Sequence, residues 1–110
     1  MGTLTGAFIR RSVAAGAYEI SLHADDERLA DGLTVDDLEQ VLASSEVIED
    51  YADDPRGSSC LVLGFEHGEP VHAVCGLTRQ QRLIVITVYR PRPPKWMDAR
   101  TRARRESHGT

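Results

Sequence analysis

The sequence is poor in cysteine and has no long apolar run. Cys60 and Cys75 are its only cysteines, too few for a disulfide framework. Neither sits in a CxxC or CxxH pattern. His72 and Cys75 stand three apart in a predicted strand, which turns them to opposite faces, so no metal centre is expected. The longest apolar stretch, Leu83 to Val88, is far too short to span a bilayer. Arg10 and Arg11 interrupt the N-terminal segment before it could form the apolar core of a signal peptide. A cytoplasmic protein is the expectation. A phosphate-binding loop, a GxSxG nucleophile elbow and an HExxH helix are all missing. Internal repeats are missing too, and no cofactor is expected.

Charge is present but unevenly placed. The net charge is −4 over 110 residues, enough length for one domain with its own core. Residues 1–70 carry 4 arginines against 15 Asp and Glu, a balance of −11; residues 71–110 carry 9 Arg and Lys against 2 acids, a balance of +7. The basic end could face an anionic partner, or it could be a solvated tail.

Ala7 to Ala15 reads as a helix with Phe8, Ile9 and Val13 inward and Gly16 as its stop, after a frayed 1–6. Tyr18, Ile20 and Leu22 alternate with polar residues, as a short extended segment would. Ser21 is also an N-cap for a helix over Leu22 to Ala30, in which Leu22 and Leu29 would lie on the buried stripe and His23 would neighbour Glu27. Thr34 with Asp37 resembles a capping box, and Leu33 with Leu38 a hydrophobic staple. Val35, Leu38, Val41 and Leu42 then form the inward stripe of a third helix.

From residue 47 the period becomes two. Strands are expected over 47–51, 60–65, 71–77 and 83–89, with a loop over 53–57. His67-Gly68 serves as a two-residue hairpin turn, and Thr78 to Arg82 as a second turn. That register sets Cys60 opposite Cys75, as neighbouring reduced thiols, and Leu63 opposite His72. Leu83 to Tyr89 reads as a central strand buried on both faces. The sum is an α+β domain over 1–92, with two or three N-terminal helices on one face of a 3–4-stranded antiparallel sheet. Residues 93–110 read as a basic, mobile tail.

Four groups could carry chemistry, and each has an ordinary reading beside it. His23 could act as acid or base near neutral pH, or simply pack and cap its helix. His72 could do the same, or be a satisfied core histidine. Tyr89 could present a hydroxyl at a strand end, or close the core. Arg90, Arg92 and Lys95 around Trp96 could hold phosphates and stack a base, or be solvated.

Tyr18-Glu19-Ile20-Ser21-Leu22-His23-Ala24 with Arg28, then Gly32-Leu33-Thr34-Val35-Asp36-Asp37, Val47-Ile48-Glu49, Leu63-Gly64-Phe65, Pro70-Val71-His72 and Ile86-Thr87-Val88-Tyr89-Arg90-Pro91 follow one another in order. In this order and spacing they resemble the bacterial domain of unknown function 4258. Asp31 stands where that family commonly has a second arginine.

The resemblance implies a likeness to the RelE-like and MqsR-like toxins of bacterial toxin–antitoxin systems, which pack helices on an antiparallel sheet. It implies a protein antitoxin with a zinc finger of the YgiT or MqsA type as partner, and messenger RNA or the ribosome as target. By that resemblance His23 and His72 would be base and acid in metal-independent RNA cleavage. Arg28 would hold the phosphate, Tyr89 would be an alternative acid or orienting hydroxyl, and Lys95 and Trp96 would contact RNA. An endoribonuclease toxin is therefore the leading expectation, and a non-catalytic protein-interaction domain the alternative. Exposure separates the two: catalytic groups should line an open groove, and structural ones should be buried and fully paired.

Overall fold

The computed structural model describes residues 4–55, 57–93 and 95–102. Three helices precede most of the sheet: α1 (Gly6–Ala14), α2 (Leu22–Ala30) and α3 (Val35–Ala43). The strands are β1 (Tyr18–Ile20), β2 (Glu46–Tyr51), β3 (Ser59–Glu66), β4 (Glu69–Leu77) and β5 (Leu83–Tyr89). They form one sheet in the order β1-β5-β4-β3-β2. Among the described residues no helix is long and apolar enough to cross a membrane.

Each helix starts where a side-chain oxygen can accept an otherwise unpaired backbone N–H. Thr5 accepts from Phe8 N–H and opens α1 one residue before the expected start. Ser21 accepts from Ala24 N–H at 3.0 Å. Thr34 and Asp37 form the reciprocal capping box, at 2.9 and 3.0 Å. Gly16 and Gly32 end α1 and α2 in the left-handed conformation, with φ of 68° and 71°.

The hairpin register falls as the sequence reading has it. Cys60 faces Cys75 and Leu63 faces His72, and both thiols are free and buried. Burial pushes the Cys60 thiol up to about 11, and it raises Cys75 further. One sheet face takes Cys60, Val62, Val71, Ala73, Cys75, Leu83, Val85 and Val88 into the core, against Ile9, Val13, Ala24, Leu33, Leu38, Val41 and Leu42. Each fully buried Leu or Val there contributes about 1.5–3 kcal/mol. Helix α3 lies so close to β3 that a Cβ on Gly64 would stand 1.9 Å from the Val41 carbonyl oxygen.

Three expectations need correction. The sheet is mixed and five-stranded, because the extended segment before α2 becomes β1 and pairs parallel with β5, Tyr18 beside Leu83. Strand β5 therefore lies second from an edge, β4 is the middle strand, and a register shift near Val85 to Thr87 leaves Ile86 exposed. The stripe assigned to α2 is also reversed. Leu22 and Leu29 are 87% and 60% exposed, and Ala24 is the one fully buried residue of that helix. Glu27 explains the rotation: its Oε1 accepts the Val88 N–H at 2.9 Å, beyond the end of β1, so the polar side of α2 is drawn to the sheet edge.

Candidate functional site

The second face of the sheet, turned away from the helices, brings His72 and Tyr89 together. Alternation along β4 sends Val71 and Ala73 to the helices and His72 the other way. Tyr89 is its register partner at the end of β5. His72 Nε2 lies 2.6 Å from the Ala99 carbonyl oxygen, and Nδ1 lies 3.1 Å from the Tyr89 hydroxyl. A carbonyl can only accept, so Nε2 carries the proton and Nδ1 accepts from Tyr89. The ring is fully buried. Burial pushes the His72 pKa below its ordinary value and raises that of Tyr89.

Trp96 closes the cluster, its ring edge-on to His72 at 4.3 Å. Only 1% of Trp96 is exposed. It belongs to the basic segment that the sequence reading set apart from the domain. Residues 95–102 of that segment lie across the sheet, and 103–110 fall outside the described residues. Asp98 accepts from the Arg100 and Thr101 N–H groups, both at 2.9 Å, and turns the chain back. Arg102 then lies 4.7 Å from the Trp96 ring centre and forks onto Glu49 at 2.7 and 2.8 Å. That pairing holds the Glu49 carboxyl below the usual carboxylate range. Arg100 reaches Glu46 at 2.5 Å.

The remaining expected residues lie elsewhere. His23 is exposed on α2, with Nε2 3.3 Å from Glu27 Oε2. Arg28 is turned inward, where it donates to Asp25 at 2.7 Å and to the Leu33 carbonyl at 3.0 Å, tying α2 to the turn after it. Arg90 pairs with Glu66 at 3.2 Å. Arg92 faces Asp31 at 3.9 Å, and Lys95 is exposed. The structure thus joins His72, Tyr89 and Trp96, and separately joins His23 to Glu27. Arg28 joins neither group. The sequence reading missed Glu49, Ala99 and Arg102, which complete the His72 cluster. Their only signal was the basic run itself, whose acidic partners lie some 50 residues earlier.

Three capped helices on a mixed sheet, with an inward histidine–tyrosine pair on the far side, define a small α+β domain. The family described as domain of unknown function (DUF4258) matches residues 20–90, the span from the end of β1 to just beyond β5. The chain belongs to that family. No curated protein and no solved structure compared with it gives a match.

Proposed function

We propose that this chain is a protein-binding domain whose contact surface is the outer side of α2. The observation that carries this reading is the exposure of Leu22 and Leu29, 87% and 60%. Seven residues apart, they stand one above the other. Asp25 and Asp26 flank them on the same turns, and the N-terminal 70 residues carry a balance of −11. Arg28 holds Asp25, so Asp26 and the acidic N-terminal part supply the charge, and an apolar pair in that setting suits a partner segment with apolar anchors and flanking Lys or Arg. The cytoplasmic protein antitoxin implied by the family resemblance is a partner that could supply such a segment.

Burial supports this reading over catalysis at His72 and Arg28. Both are inside the fold with their polar atoms paired, as structural groups are. The test is co-expression with a zinc-finger antitoxin of the YgiT or MqsA type, the kind of partner that the resemblance implies. Leu22→Asp with Leu29→Asp should abolish the co-purified complex and leave the unfolding free energy within about 0.5 kcal/mol of the parent, as surface changes do. An undiminished complex would end the proposal.

One observation favours the second reading, a metal-independent endoribonuclease toxin. His23 is exposed beside Glu27, an arrangement able to take a proton from a 2′-OH, and Arg92 and Lys95 are exposed for phosphate contact. If that reading holds, controlled expression arrests growth with RNA cleavage, and His23→Ala relieves both. Normal growth with soluble, folded parent protein would reject it.

A further inference from the structure

Strand β3 ends and β4 begins at a turn beside the start of α3. Asp37 of α3 meets two adjacent side chains there, Glu66 at the end of β3 and His67 in the turn. His67 Nε2 lies 3.4 Å from Glu66 Oε2 and 3.6 Å from Asp37 Oδ1. All three donor atoms lie within 4.8 Å of one another. These separations are long for direct hydrogen bonds. The two His67 separations match the edge of a coordination tetrahedron, about 3.3–3.6 Å for metal–ligand bonds of about 2.0–2.2 Å.

The groups around the cluster fix its donors. The other Asp37 oxygen, Oδ2, accepts the Thr34 N–H at 2.9 Å, which leaves Oδ1 facing His67. The other Glu66 oxygen, Oε1, is held by Arg90 at 3.2 Å, which leaves Oε2 facing the same point. The His67 backbone N–H is held by the Gln40 side chain at 2.9 Å. The turn itself sets His67 at φ 50°, a left-handed conformation that histidine adopts more readily than most side chains. Second contacts that orient ligands, as those on the Asp37 and Glu66 carboxylates do, are what a metal site needs.

We propose that Asp37, Glu66 and His67 form a binding site for one divalent transition-metal ion, Zn²⁺ by its preference for nitrogen and oxygen donors in four-fold geometry. Three protein ligands leave the fourth position to water. Glu66 is largely buried, and His67 is exposed at the rim, so the ion can enter from solvent. Arg90 offsets part of the negative charge, which makes the site weaker than a closed structural zinc centre. This site is separate from the α2 surface and does not depend on the function proposed for it.

The experiment titrates chelator-treated full chain with Zn²⁺ by calorimetry, with Co²⁺ as a spectroscopic probe. One Zn²⁺ per chain is expected, with the visible bands of a four-coordinate Co²⁺ complex. Glu66→Gln and His67→Asn should each weaken Zn²⁺ binding at least tenfold. Asn tolerates the left-handed turn, and Gln keeps the contact with Arg90. His23→Asn, at the other exposed histidine–carboxylate pair, should change nothing. Imidazole NMR signals of the parent supply a measurement free of folding effects: Zn²⁺ should shift those of His67 and leave those of His23 in place. Absence of saturable binding would overturn the proposal, as would binding indifferent to the Glu66 and His67 changes or a shift at His23 instead.

Discussion

His72 is a neutral imidazole by construction. Its Nε2 proton goes to a carbonyl and its Nδ1 accepts from Tyr89, so a second proton on Nδ1 would put a charge into a buried cluster and turn the Tyr89 hydroxyl from donor to acceptor. Its folded pKa lies below the ordinary value of 6.5, chiefly through burial. The unfolded chain therefore binds the proton more readily, and the native state loses stability as pH falls through about 6.5. Between about pH 7 and 5 the urea midpoint of the parent should fall, and His72→Gln should flatten that slope. An unchanged slope in the variant would place the titration elsewhere. Gly64 is a second residue whose identity is fixed by contact. Gly64→Ala would drive a methyl into the Val41 carbonyl and should cost about 1–3 kcal/mol, read as a lowered urea midpoint with the fold retained.

Among the elements, α3 was the most legible in the sequence, because its cap, staple and the Leu38, Val41 and Leu42 part of its stripe agree; Val35, also expected inward, lies exposed in the first turn. Thr34→Ala should cost it about 1 kcal/mol, measured by urea unfolding. Helix α2 was the least legible, since its inward residues are Ala24 and the polar Glu27, and no hydrophobic period marks such a face. Strand β1 was read as extended without a partner. Three residues carry no sign that they will join β5 in parallel across some 65 positions of chain. The segment 95–102 has no apolar stripe, and a single indole is its one buried apolar side chain, beside the Ala99 carbonyl and the Arg100 and Arg102 ion pairs. Trp96 is the only tryptophan, so intrinsic fluorescence reports on that segment alone. Native emission should be blue-shifted. Glu49→Ala, which removes the acceptor of Arg102, should shift it to the red if the ion pair holds the segment down. Emission unchanged in that variant would show that packing of the indole suffices.

For the molecule as a whole, the charge asymmetry of the sequence is largely turned inward on itself. Arg82 meets Glu19, Arg90 meets Glu66, Arg92 faces Asp31, Arg100 meets Glu46 and Arg102 meets Glu49. The basic end thus finds much of its counter-charge within the chain, which no one-dimensional charge count could show. Apart from Arg90–Glu66, whose carboxylate is buried, these are surface pairs, each worth about 0–1 kcal/mol and screened by salt. Raising NaCl from about 0.05 to 1 M should lower stability by about 1–2 kcal/mol in total, and a rise would assign the pairs no stabilising role. The candidate metal cluster was hidden, because Asp37 and Glu66 meet only when α3 packs on β3.

The parallel pairing of β1 with β5 also bears on biosynthesis. The strand at the beginning of the chain is completed by the strand that comes last, Tyr18 beside Leu83. On a ribosome adding about 5–20 residues per second, roughly 3–13 s separate the emergence of the two partners. Throughout that interval the helices have only part of their sheet to cover, and apolar residues meant for the core stay open to chaperones and proteases. A stalled or truncated product ending before Leu83 should accordingly be a degradation substrate and not a smaller stable domain.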